Sequence, residues 1–203
     1  MHITREEIEA FPHLYKINLM NSISGYKSAN LIGTKSNTGT TNVAVFSSVV
    51  HYGSNPPILG FVVRPTTVVR NTYNNIKETG SYTINAISKD IIEEAHHTSA
   101  KYSAEISEFD KTNLTPEYKN NFYAPFVKES PLQLGMKYLE EYYIKANDTI
   151  LVLGEVVDLY IEETMLSEDG FLNLSKENIA AINGLDSYVV GNDFKRLSYQ
   201  RPK

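Results

Sequence analysis

A mainly β chain, an antiparallel barrel with peripheral helices, is the fold class this sequence predicts. Three observations carry it. Six or seven short apolar runs rich in Val, Ile, Tyr and Phe read as strands, most of them joined in pairs by turn residues. Few of those runs alternate with helical segments, so the crossover units of a parallel sheet are scarce. The chain has 203 residues and a 41% hydrophobic fraction, enough for a single large core spanning 1–203.

Each element has its own justification. Thr4-Arg5-Glu6-Glu7 fits a capping box and starts a helix, which Pro12 breaks or restarts before Asn18, making 1–21 a helical extension. From Gly25 to Thr34 the chain is extended. Ser36-Asn37-Thr38-Gly39 is turn chemistry, because Asn and Gly tolerate positive φ. Asn42 to Tyr52 then reads as one return strand, too continuously apolar to have a solvated face. Asn55-Pro56-Pro57 stops it, Ile58 to Val63 is the next strand, and Pro65 ends that. Thr66 or Thr67 is placed to cap a helix running to about Thr79, where Gly80 terminates it. Ser81 to Ile87 is a strand, and Ser88 or Asp90 caps a helix through Ile91, Ile92 and Ala95. Residues 99–130 are polar and irregular, a long excursion with a helical turn at Pro116 to Lys119. Leu132, Leu134, Met136 and Tyr138 alternate with Gln133, Gly135 and Lys137 as a half-buried strand, and Asn147-Asp148 turns it into Thr149 to Ile161. A helix start at Ser175-Lys176-Glu177-Asn178 and a short strand around Tyr188 to Val190 close the chain.

Composition narrows the chemistry. With no cysteine there is no disulfide, no thiolate metal site and no cysteine nucleophile. No apolar run approaches the ~20 residues that span a bilayer, and the acidic N-terminus lacks the apolar core of a signal peptide, so a cytoplasmic protein without membrane contact is expected. Charge is unevenly distributed. Residues 10–77 contain no Asp or Glu but carry Lys16, Lys27, Lys35, Arg64, Arg70 and Lys77, whereas residues 78–203 have a net charge of −9. A buried anionic ligand would exclude carboxylates from such a segment, since a carboxylate beside a phosphate suffers both repulsion and desolvation. A β-rich half whose surface was taken by Thr, Asn and Ser is the alternative. Nucleic acid is not the expected anion, because six dispersed cations make no basic stripe and the pI is near 5.6.

Motifs exclude further classes. Neither a Gly-x-Ser-x-Gly elbow, a phosphate-binding Walker loop nor a Gly-x-Gly-x-x-Gly turn is present. His96 and His97 are adjacent on a predicted helix and diverge by about 100°, poor geometry for one metal, so no metal is expected. The stretch Arg64-Pro65-Thr66-Thr67-Val68-Val69-Arg70-Asn71-Thr72 joins a predicted helix N-terminus to three Thr hydroxyls and two guanidiniums. It reads either as a phosphate site or as a capped helix with solvated arginines, and the acid-free context favours the phosphate. The strand Asn42-Val43-Ala44-Val45-Phe46-Ser47-Ser48 sets small polar residues in an apolar run, which lets a flat ligand lie against backbone N–H and C=O groups. An ordinary core strand is the other possibility.

These residues resemble the flavin reductase-like family with an FMN-binding split barrel, over roughly residues 22–190. Asn42-Val43-Ala44-Val45-Phe46-Ser47 looks like the family's Asn-x-Ala-Pro-x-Ser strand, and Asn55-Pro56-Pro57 like its Asp-Pro-Pro. Arg70-Asn71-Thr72-Tyr73-Asn74-Asn75-Ile76 is similar to its Lys-Asp-Thr-x-x-Asn-Ile helix. Glu78-Thr79-Gly80, Ile84-Asn85, Thr98-Ser99-Ala100, Glu108-Phe109-Asp110, Leu114-Thr115, Glu129-Ser130-Pro131 and Gly154-Glu155-Val156 follow in order. The resemblance implies an antiparallel Greek-key split β-barrel and a homodimer with FMN near the subunit interface. It places Asn42, Val43, Ala44, Ser47, Ser48 and Val49 against the ring and ribityl chain, and Arg64, Arg70, Asn71 and Thr72 around the phosphate. Val45 stands where the family has Pro, Asn71 replaces Asp, and Ser48-Val49 replaces an aromatic pair, which leaves the ring face either more open or served by Tyr52 or Tyr102 instead. The implied activity is NAD(P)H-dependent flavin reduction by hydride transfer to flavin N5, with a flavin-dependent monooxygenase as a recipient of the product. A non-enzymatic FMN electron carrier and a flavin oxidase of the same fold are the alternatives. No catalytic side chain is assigned, because hydride transfer requires none.

Overall fold

The computed structural model describes residues 1–191 and 193–202. The chain opens with α1 (Arg5–Ala10) and α2 (His13–Ser22). Thr4 and Glu7 form the expected capping box, and Pro12 restarts the helix, which runs past Asn18. Neither helix buries a residue. There follow β1 (Lys27–Ser28), β2 (Asn30–Lys35), β3 (Thr41–Phe46), β4 (Val50–Ser54), β5 (Pro57–Val63), α3 (Asn71–Thr79), β6 (Ser81–Ala86) and α4 (Ile92–His97). The second half adds β7 (Pro116–Glu117), β8 (Phe126–Val127), β9 (Leu132–Ile144), β10 (Thr149–Ile161), β11 (Ala180–Asn183) and β12 (Ser187–Val190).

Seven strands form one antiparallel sheet in the order β3-β2-β6-β9-β10-β5-β4. Its two edges, β3 and β4, are not paired with each other. Instead the sheet curls until Ser48, just beyond β3, takes up the backbone of β5: Val62 N–H donates to Ser48 Oγ at 3.0 Å. Phe46 and Phe61 meet edge to face at 5.2 Å beside that junction. This is a split barrel: the chain crosses between its two edges at Ser47–Val49, where the Ser48–Val62 bond prolongs the β4–β5 register, and no ladder joins β3 to β4. Inside it Ile32, Phe61, Ile76, Tyr82, Met136 and Val152 are fully buried. A second core, with Leu31, Val43, Ile87, Ala95 and Ile182, fills the space under α4 and the small sheet β1-β11-β12.

Three sequence expectations are corrected. Asn42 to Tyr52 is two strands, β3 and β4, parted at Ser47–Val49 where the chain turns from one edge of the sheet to the other. The helix expected from Thr66 or Thr67 begins at Asn71, its N-cap Arg70 supplying no side-chain cap. Thr66, Thr67, Val68 and Val69 are four β-branched residues in a row, a poor first turn. Pro116 to Lys119 is not a helical turn; Pro116–Glu117 pairs with Phe126–Val127 as a small ladder. The later part of the 99–130 excursion is pinned to the barrel. Thr83 donates to Pro125 O at 2.7 Å, Val127 N–H donates to Asn85 Oδ1 at 3.0 Å, and Lys35 Nζ lies 4.9 Å and 5.0 Å from the ring centres of Tyr118 and Tyr123.

Candidate flavin cleft

A cleft of about 820 Å³ opens between the seam and the 96–108 segment. That lies within the ~300–1,000 Å³ typical of small-molecule sites. One wall is β3 and its continuation. Because β3 is an edge strand, every second residue turns its N–H and C=O away from β2. Val43 N–H points that way, donating to Glu108 Oε2 at 3.2 Å, so the backbone groups of Val45 two residues on face the same side. Ala44, Val45, Phe46, Ser47 and Ser48 line the cleft here, and the small Ala44 leaves the backbone approachable.

The far end of this wall is the start of α3. Asn42 is buried, and its Nδ2 donates to Thr72 Oγ1 at 3.0 Å and to Thr34 Oγ1 at 3.4 Å, tying β3 to the first turn of the helix. Asn75 Nδ2 also donates to Thr34, at 3.0 Å. The first intrahelical bond is Asn74 N–H to Arg70 O, so the N–H groups before it have no helical acceptor. No acidic side chain lies in that first turn and no side chain caps it. Arg64 and Arg70 stand beside it. Among the described residues neither guanidinium pairs with a carboxylate; Arg70 Nε donates to Pro65 O at 3.3 Å. A helix end without a cap, next to two unneutralised arginines, has the electrostatics of an anion site.

Thr98 to Tyr102, with His96, form the opposite wall, and Ile182, Leu185 and Asp186 close one side. Glu108 is 8% exposed at the back of the cleft, and burial pushes its carboxyl up from the ordinary value, against the pull of its own and Val43's N–H groups. Tyr73, on the cleft side of α3, donates to Glu141 Oε1 at 3.0 Å and joins the helix to β9.

The cleft therefore brings together Asn42, Ala44, Ser47, Ser48, Arg64, Arg70, Asn71 and Thr72 of the residues expected to hold the cofactor. Val43 and Val49 are not in its lining: Val43 turns its side chain into the second core, and Val49 packs against the barrel core. Tyr102 lines the cleft, whereas Tyr52 lies over Gly60 on β5, outside it. The sequence reading did not assign Tyr73, His96, Glu108 or Asp186 to the site. Glu108 and Tyr73 lay inside motif-like stretches, but nothing in a lone acid or tyrosine signals which way it points.

The model of the flavin reductase like domain matches residues 24–181. The chain belongs to that family. A crystal structure from Shewanella frigidimarina NCIMB 400, assigned as a flavin reductase with a split barrel domain, is 46% identical, superposes with a TM-score of 0.95, and the match covers 98% of this chain and 100% of that one. Nitrilotriacetate monooxygenase component B from Bacillus cereus has the same fold at 17% identity, with a TM-score of 0.84 and coverage of 97% and 98%. So does the FMN-binding protein from Thermus thermophilus with bound 1-cyclohex-2-enone, at 15% identity, a TM-score of 0.71 and coverage of 85% and 91%. This chain is thus a split-barrel member of a flavin-handling family.

Proposed function

We propose that the cleft holds FMN and that the protein is an NAD(P)H-dependent flavin reductase acting as a homodimer. The observation that carries this reading is the junction of an uncapped helix start and two unpaired guanidiniums with an open strand edge, all in one cleft. The residues fit the group. Arg64, Arg70 and the first-turn N–H groups of α3, with Asn71 and Thr72, hold the phosphate. The free backbone groups at Val45 and the hydroxyls of Ser47 and Ser48 meet the polar edge of the ring, and Tyr102 covers it from the opposite wall. When bound, FMN supplies N5 as the acceptor of a nicotinamide hydride. The protein's share is orientation: the Asn42–Thr72 bond fixes the spacing between strand and helix, and the Glu141–Tyr73 bond holds the helix against β9.

Exposed Val157 and Leu159, which share one face of β10, support association with a second copy. A monooxygenase that consumes reduced flavin is the partner we propose, a reading supported by the shared fold with a component of a monooxygenase.

The test is an anaerobic visible spectrum of the purified protein with FMN, recorded before and after NADH and then NADPH. Bleaching by either nucleotide is expected and identifies the donor. A bound flavin that stays yellow with both would sink the reductase reading in favour of a carrier or another flavoenzyme.

A further inference from the structure

Glu108 interrupts the acid-poor logic of the cleft. It is a carboxylate more than nine-tenths buried, lining a site whose other end is built for an anion. Its Oε2 is engaged by Val43 N–H at 3.2 Å, while its Oε1 accepts no hydrogen bond from another described residue. None of the nearby hydroxyls bonds to Glu108; each has another partner. Thr72 Oγ1 accepts from Asn42, Thr98 Oγ1 donates to Ala95 O at 2.7 Å, and Ser107 pairs with Thr41 at 2.8 Å. The backbone N–H of Glu108 itself also draws on the carboxyl, and Glu108 is not among the described side chains buried without a partner, so the carboxyl keeps access to the cleft and can take a donor from a ligand there.

Its place along the cleft says which donor. Glu108 is bonded to Val43, and the preceding residue, Asn42, is bonded to the first turn of α3. With a phosphate at that helix end and a ring against Ala44 to Ser48, the part of the ligand beside Glu108 is what connects them. A carboxylate there repels a phosphate, but it suits a chain of hydroxyl groups. We infer that Glu108 contacts the ligand, accepting hydrogen bonds from the ribityl hydroxyls through Oε1 while Oε2 holds the strand edge. The inference rests on the flavin reading above and adds to it a residue that selects for the polyol.

Riboflavin and lumiflavin, which lacks the ribityl chain, separate the two. Both are free of phosphate, so the arginine site does not contribute. Affinities are measured by quenching of flavin fluorescence for the wild type, Glu108→Gln and Glu108→Ala, with circular dichroism confirming that each variant is folded. The Gln variant keeps an oxygen for Val43 and turns an NH₂ toward the ligand. Both variants are expected to lose about tenfold or more in riboflavin affinity, the worth of a hydrogen bond to a charged group, with lumiflavin affinity nearly unchanged. An equal loss for both flavins would make Glu108 a support for β3 only, and no loss for either would also overturn the inference. A folded wild type that binds FMN but not riboflavin would give the polyol contact no measurable worth and overturn the inference alone, whereas one that binds no flavin, FMN included, would overturn the flavin reading beneath it.

Discussion

Arg70 bends back so that its Nε reaches Pro65 O, which leaves the terminal nitrogens of the guanidinium to whatever enters the cleft. Arg70→Ala is therefore expected to weaken FMN binding about 10- to 100-fold, the loss of one charge-assisted bond pair, while riboflavin binding barely changes. Equal losses for both flavins, read by fluorescence titration, would remove the phosphate from this end of the cleft. Glu108 gives a different kind of prediction. Burial raises its carboxyl above the ordinary value, so the folded protein holds that proton more tightly than the unfolded chain does. Its favourable contribution is complete below the ordinary carboxylate range and is lost as pH rises through the folded value. Glu108→Gln does not titrate, so its melting temperature relative to the wild type should climb between pH 4 and pH 7. A constant difference across that range would mean that the buried carboxyl is no burden to the fold.

At the scale of elements, the strands of the split barrel approach so closely that small residues are obligatory. A Cβ at Gly154 on β10 would fall on the hydroxyl of Tyr82, which is itself buried without a partner. Gly154→Ala should cost about 1–3 kcal/mol in chemical denaturation, and combining it with Tyr82→Phe should recover part of that. Additive effects would show that the two positions do not compete for the same space. Such constraints also explain how much of the fold could be read in advance. Hairpins announced themselves locally: Asn147-Asp148 sits between β9 and β10, and Asp148 takes the positive φ the turn needs. The capping box at Thr4 and the Gly80 stop of α3 are equally local. The split of Asn42–Tyr52 into two strands was not legible, because both halves are apolar and only the sheet's curl decides where the chain leaves one edge. For the cleft, the wall that carries Asn42 and Thr72 is drawn from two short stretches, 42–48 and 62–73, each with its own local signal, and could be named. Its opposite wall comes from residues 96–108 and 182–186, brought there by α4 and the β11–β12 hairpin, and carries no local signature.

For the whole molecule, the exposed Val157 and Leu159 on one face of β10 set the expectation that the protein sediments as a dimer. Leu159 is 53% exposed, so Leu159→Glu should leave a lone chain folded yet shift sedimentation toward the monomer. An unshifted dimer would place the interface on another face. The seam of the barrel has one further consequence. The backbone groups that β3 turns away from β2 beyond Val43 are of the kind that strands of other molecules use to add on. A cleft filled as proposed would block that addition and an empty one would leave it open, so the ligand is expected to govern colloidal behaviour as well. Protein stripped of flavin should scatter light on heating earlier, and more steeply with concentration, than protein kept saturated. In a cell short of flavin, the population at risk would be the fraction of molecules standing empty.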